Sequence, residues 1–382
     1  MTARDRFPGL HDGWARLDGA AGTLMVDTAI DAMADFMRSS APSNLGGAFA
    51  ASEACDQLVE HARATVGTLL GVGDGEVVFG PSSTNLVFAY TRALGRGLGP
   101  GDRIVCTQLD HDSNVSTWMQ MADDVGAEVV MWPIDETGHL RVEHLEELLA
   151  EGGVRWVAVT GASNLTGAVP PITEVVARAH AVGAKVHLDA VARVPHLRTH
   201  RTELGVDSLT SSSYKWFGPH AGTLALSSEL LETVEPYRVR PADYPGARRW
   251  ETGTPAFETI AGVAAAAEFL IQSPEPTAHE QELIGQLEDG LASMPGVVVY
   301  APDPADERCP TTIFNVGDRH PEDVARHLAS RQVAVWSGDS YARELIAALG
   351  LTARGGAVRA SLVRYNDPTD VDRLLEAVSE LT

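Results

Sequence analysis

Of the 29 Lys and Arg residues in this chain of 382, only Lys185 and Lys215 are lysines. Lys215 lies in "SSSYKWFGPHAGTL" (211–224), between a run of serines and a Gly-Pro turn. Arginine stays protonated under ordinary conditions. A lysine amine can be made neutral by its surroundings and then act as a nucleophile or base. A second group stands upstream, where the apolar run "AKVHLDA" (184–190) ends in Asp189. A carboxylate there is costly unless paired, whether by a helix cap, a structural ion pair or a buried cation such as a protonated ring nitrogen. At about 4 Å and an effective dielectric near 20 that last attraction is roughly 4 kcal/mol, or about three pKa units. It is enough to keep a pyridine nitrogen protonated at neutral pH. The third group is "GPSSTN" (80–85), with Ser82, Ser83 and Thr84 at the start of a helix. Capping alone explains one such hydroxyl; the free N–H groups of the same turn can also hold a phosphate.

The elements that must position these groups alternate along the chain. "EVVFG" (76–80), "RIVCTQ" (103–108), "AEVVMWPI" (127–134), "VRWVAVTGA" (154–162), "AKVHLDA" (184–190) and "SLTSSS" (208–213) read as buried strands. "TNLVFAYTRALG", "SNVSTWMQMADDVG", "RVEHLEELLAEGG" and "PITEVVARAHAVG" have helical spacing and glycine stops. Such alternation predicts an α/β fold with a mainly parallel sheet over residues 16–272, with ligands beyond the carboxyl ends of its strands. "IQSPEPTAHE" then reads as a connector to a smaller C-terminal α/β domain, 273–382, with which residues 1–15 are expected to pack. The close glycines of "GVGDGEVVFG" precede a strand, the reverse of the dinucleotide-binding order. A net charge of −23 argues against nucleic acid or an anionic membrane as partner. The chain start has no signal-peptide core, and "IAGVAAAAEFLI" is too short to span a bilayer, so the expectation is a cytoplasmic enzyme. Cys55, Cys106 and Cys309 have no metal-ligand spacing, and no metal is expected.

Phosphate turn, acid and lysine, each on its own strand end, together describe a pocket for pyridoxal 5'-phosphate. At this point the chain resembles the fold-type I pyridoxal phosphate enzymes of the class V aminotransferase group, in the cysteine desulfurase-like branch. The resemblance runs from "RLDGAAGT" (16–23) through "QLDHDSNVSTW", "ASNLTGAVPP", "HLDAVARVPH", "SSSYKWFGPHAG" and "WETGTPAF" to "AVRASLVRYN" (357–366). It implies a large domain with a sheet of the seven-stranded type and a small C-terminal domain. It makes Lys215 the Schiff-base lysine, Asp189 the pyridinium partner and His111 the residue stacked on the cofactor ring. Asn164 would lie beside the ring hydroxyl or the substrate, and Ser82, Ser83 and Ser212, with Tyr214, would hold the phosphate. Thr254 would reach the phosphate of a neighbouring subunit, implying a homodimer with shared sites. Arg359 would grip the α-carboxylate of a small amino-acid substrate as a bidentate fork.

Departures from the family pattern bear on the reaction. The loop that carries a sulfur-accepting cysteine in desulfurases is here "WSGDSYARE" (336–344), with Asp339, Ser340 and Tyr341 and no cysteine. A hydroxyl cannot replace a thiolate as sulfur acceptor. Ala192 stands where the family has a glutamine, and Tyr214 where a histidine usually precedes the lysine. The leading expectation is a C–S lyase that removes a β-substituent from cysteine or an S-conjugate without storing persulfide. Ser340 or Tyr341 is a candidate proton donor to the leaving thiolate, or else stabilises the loop. The alternatives are an aminotransferase, a desulfurase with a relocated acceptor, and a non-catalytic cofactor-binding protein; a nicotinamide dehydrogenase is disfavoured.

Overall fold

A computed structural model describes residues 3–273, 276–303 and 306–382. In chain order the strands of the first part are β1 (Ala15–Arg16), β2 (Val77–Gly80), β3 (Arg103–Thr107), β4 (Glu128–Trp132), β5 (Val154–Thr160), β6 (Lys185–Asp189), β7 (Ser208–Ser212) and β8 (Gly222–Leu226). All but β1 form one seven-stranded sheet in the order β2-β8-β7-β6-β5-β3-β4. Strands β7, β6, β5, β3 and β4 are mutually parallel, while β8 runs antiparallel to both β7 and β2. The six strands expected from apolar runs are present, and β8 is an addition. No helix-length segment separates it from β7. The chain turns straight back, Ser212 pairs with Gly222, and the Lys215 stretch is the connection between them.

Alternate residues of each strand feed two apolar layers, as the period of two requires. Val105, Val157, Val159 and Leu188 face one side, where they join Val66, Ile260, Val263 and Ala267. Ile104, Cys106, Trp156 and Ala158 face the other, with Tyr90, Trp118 and Met121. The alanine-rich helix Phe257–Gln272 is buried along most of its length. Among the described residues no helix is long and apolar enough to cross a membrane.

A second, antiparallel sheet follows, built from β9 (Val297–Tyr300), β10 (Thr311–Val316), β12 (Trp336–Gly338) and β13 (Ala357–Ser361) in the order β12-β13-β10-β9. Its apolar face holds Phe314, Val316 and Val358 against Leu287, Leu328 and Leu374 of three helices. Pro274 and Glu275 of the expected connector, and residues 1–2, lie outside the described residues. The N-terminal segment touches both sheets' surroundings. β1 pairs in parallel with β11 (Val333–Ala334), and Arg4 Nη1 lies 2.8 Å from the Asp370 carboxylate. Phe7 packs edge-on against Phe217, Phe269 and Tyr365.

Candidate active site

One cavity is lined from five strand ends of the large sheet. Ser83 and Thr84 follow β2, His111 and Ser113 follow β3, and Thr160, Ala162 and Asn164 come from β5. Asp189, Val191 and Ala192 follow β6, and Tyr214 and Lys215 follow β7. Its position beyond the carboxyl ends is the one that the parallel sheet dictates. Lys215 is held in a 3-10 turn, Ser213–Lys215, fixed by Trp216 and Gly218 N–H groups donating to the Ser213 carbonyl at 2.9 Å each. The amine is buried, and burial, then the Arg359 charge, bring its pKa down to about 8 against the opposing pull of Asp189. Asp189 ends β6 with 5% exposure and accepts the Val191 N–H at 2.9 Å. Burial raises its pKa, against the pull of that N–H and of Lys215. No direct ion pair joins the two among the described residues, and both side chains line the cavity.

His111 caps the short helix Asp112–Asn114, and its Nδ1 accepts from the Ser113 N–H at 3.1 Å. The proton of the neutral ring therefore sits on Nε2. Burial, then the charges of Lys215 and Arg359, lower its pKa to about 3, so the ring is a neutral plate. Ser212 Oγ donates to Ser83 Oγ at 2.9 Å, joining β7 to the first turn of the helix Ser83–Leu94. Ser82 caps that helix by accepting the Asn85 N–H at 3.1 Å. Gly222 makes this approach possible. A Cβ on it would lie 2.2 Å from the Ser82 carbonyl carbon and 2.4 Å from the Ser83 nitrogen.

From the small sheet, Arg359 on β13 reaches in, 4% exposed, and donates to the Asn164 carbonyl at 3.0 Å. Burial lowers its pKa to about 10, against the Tyr214 and Asp18 charges. Among the described residues it has no contact ion pair, so a buried guanidinium stands ready for a carboxylate. Asn164 Nδ2 donates to the Ser340 carbonyl at 2.9 Å, while its Oδ1 is buried without a partner. An orphaned buried acceptor costs about 1–3 kcal/mol, which a ligand donor would recover. A depressed lysine, an acid for a ring nitrogen, a neutral ring to stack on, a hydroxyl-lined helix N-terminus and an orphaned amide oxygen fit pyridoxal 5'-phosphate.

The structure thus brings together Lys215, Asp189, His111, Asn164, Ser83, Ser212, Tyr214 and Arg359, with Ser82 capping the adjoining turn. Tyr214 stacks on His220, with centroids 5.1 Å apart at 14°. Thr254 is not in the cluster. It is exposed and borders a separate open cavity with His220, Tyr237 and Glu251, which meets the Ser82–Ser83 turn at Pro81 and Asn85. Two features were not read from the sequence. Asp110 is 1% exposed; it accepts from Thr107 Oγ1 and, at 2.8 Å, from Asn114 Nδ2, locking the turn that carries His111. The only signal was its place in "QLDHDSN", where it looks like a loop acid. The other is a stack of Tyr341 on His111, with centroids 5.5 Å apart at 26°. The loop that presents it has left-handed backbone at Ser340 (φ 46°) and Tyr341 (φ 59°). Each such residue stores roughly 1–3 kcal/mol.

The aminotransferase class-V family model matches residues 15–374. A probable cysteine desulfurase 2 from Mycobacterium leprae is 32% identical over 384 residues, covering 95% of this chain and 90% of the relative. A cysteine desulfurase from Haloferax volcanii is 31% identical, covering 97% and 91%. Among solved structures, the cysteine desulfurase CsdA from Escherichia coli superposes with a TM-score of 0.91 at 28% identity, covering 99% of this chain and 97% of that one.

Proposed function

This chain belongs to the aminotransferase class-V family of pyridoxal phosphate enzymes, and on that premise we propose that it cleaves the C–S bond of cysteine or a cysteine S-conjugate by β-elimination. The observation that carries the reading is the loop over the site, which presents Tyr341 and contains no thiol. All three cysteines are buried. Burial raises the Cys309 thiol to about 12 and the Cys106 thiol well above its usual range. Only a thiolate is an effective sulfur acceptor, and neither thiol ionises readily.

When bound, the cofactor supplies an electron sink for the bond broken at Cα. Arg359 pairs with the substrate carboxylate, and Asn164 Oδ1 accepts a donor beside it. Lys215, with its pKa near 8, is neutral often enough at physiological pH to take the Cα proton. As the Cα–H and Cβ–S bonds break, the sulfur leaves with its electron pair and is protonated to a thiol. Water then releases pyruvate and ammonia. Thr254 belongs to a homodimer in this reading, where its exposed loop would complete the phosphate site of the partner copy.

The relatives' names favour a second reading, desulfuration to alanine. Product analysis with alanine, cysteine and an S-conjugate separates them. Pyruvate, ammonia and free thiol are expected. Alanine with released sulfur would establish desulfuration, and a new keto acid with the amine form of the cofactor would establish transamination.

A further inference from the structure

Tyr341 is 70% exposed, yet its position is tightly held. Its carbonyl accepts the Asp112 N–H at 2.6 Å, and its own N–H donates to Asp339 Oδ1 at 3.0 Å. The preceding Ser340 carbonyl accepts from Asn164 Nδ2 at 2.9 Å. The loop from the small sheet is thereby pinned to two turns of the large one, in left-handed backbone at two successive residues that are not glycine. A side chain so exposed buries too little area to offset such strain. What the strained loop does achieve is placement. One face of the Tyr341 ring covers His111, which lines the cavity, and the rest of the ring stands open to solvent beside it.

We propose that Tyr341 is a specificity-determining residue whose open surface seats a flat, unsaturated group carried on the substrate sulfur, so that S-aryl cysteines are preferred to S-alkyl ones. The substrate class rests on the C–S cleavage reading above, but the stacking role of the ring does not. An exposed aromatic face gains most from a second π-surface in offset or edge contact, and less from an alkyl chain of similar size.

The test uses the holoenzyme and two amino acids in which a methylene replaces sulfur, homophenylalanine for S-phenylcysteine and norleucine for S-ethylcysteine. Neither can undergo the elimination, so affinity is read from the cofactor absorbance whatever the reaction. Tyr341→Asn removes the ring with a residue that tolerates left-handed backbone, and Tyr341→Gly does so without a side chain. Both should lower the ratio of homophenylalanine to norleucine affinity by about 2- to 12-fold, and Tyr341→Phe should keep it. An unchanged ratio in the ring-less variants overturns the proposal, as does an equal loss in Tyr341→Phe, which would assign the effect to the hydroxyl. Pyruvate release from S-phenylcysteine is scored separately. A shifted ratio without pyruvate retains Tyr341 as a selector and removes elimination as the reaction.

Discussion

Lys185 and Lys215 differ in surroundings more than in sequence context. Lys185 Nζ lies 2.8 Å from Glu229 and 3.4 Å from Asp207; burial acts to lower its pKa, but the two carboxylates overcome this and raise it. Lys215 is brought down to about 8, so it alone supplies a neutral amine near physiological pH. Borohydride reduction of the holoenzyme should therefore fix the cofactor on Lys215, and mass mapping to Lys185 would end the assignment. Because only the neutral amine adds to the cofactor aldehyde, cofactor capture by the apo-protein should accelerate as pH rises towards about 8 and level off above it. A rate still climbing about tenfold per pH unit through pH 9, as an ordinary lysine amine requires, would contradict a depressed lysine. Arg359 should act on substrate alone. Losing a charged bidentate contact costs about 2–4 kcal/mol, so Arg359→Ala should lower kcat/KM by roughly 30- to 1,000-fold and leave the cofactor absorbance in place. Unchanged kinetics would remove it from the site. Lys215 and Asp189 were legible because an amine or acid at a strand end needs a chemical reason, whereas Arg359 was reached only through the family resemblance. Asp110 was not legible, since its burial is decided by the packing of the turn around it and leaves no trace in residue order.

Strands β2 to β5 were legible as elements because each apolar run is followed by a helix, and the alternation sets a parallel sheet; β6 and β7 were legible from their buried runs alone. Strand β8 broke that rule by returning antiparallel without a helix, and "GPHAGTL" carries a turn signal strong enough to mask the strand behind it. Its first residue nonetheless packs against the turn at Ser82 and Ser83, the proposed phosphate site. Gly222 faces backbone on the side where a methyl group would go, 2.2 Å from Ser82 and 2.4 Å from Ser83, so no rotamer change can make room. Gly222→Ala must push β8 away from the helix N-terminus, at a cost of about 1–3 kcal/mol. Cofactor affinity in this variant should fall about tenfold or more, with a lower urea midpoint. Gly99→Ala, at a position with nothing within 4 Å, is the control. Full cofactor affinity in a destabilised Gly222→Ala protein would show that this turn does not carry the phosphate.

Across the whole molecule, the site exists only where the two sheets meet. Lys215 and Asp189 come from the large sheet, Arg359 and the Tyr341 loop from the small one, and β1 ties the chain start to β11. That meeting was not legible in any local pattern. The pairing of Ala15 with Val333 and the seating of Ser340 on Asn164 join residues far apart in sequence, which periodicity cannot report. The absence of a loop cysteine was legible, and the structure extends its consequence to the three cysteines elsewhere. Cys55 donates to the Ala41 carbonyl at 3.3 Å, Cys106 lies inside the sheet core, and Cys309 sits against the turn at Gly167, its N–H donating to the Gly167 carbonyl at 2.9 Å. All three are buried, and on the elimination reading their replacement costs packing energy and no chemistry. A variant with all three changed to alanine should therefore keep C–S cleavage within about threefold per folded molecule, with a lowered melting temperature from the small cavities left behind. During turnover with cysteine the wild-type protein should carry no cyanide-labile sulfur, because all three of its cysteines are buried and the loop at Tyr341 has none. A persulfide on Cys309, formed in turnover and lost together with activity in the cysteine-free protein, would mean that the 163–168 turn opens to admit sulfur and that the enzyme is a desulfurase with its acceptor moved behind the site.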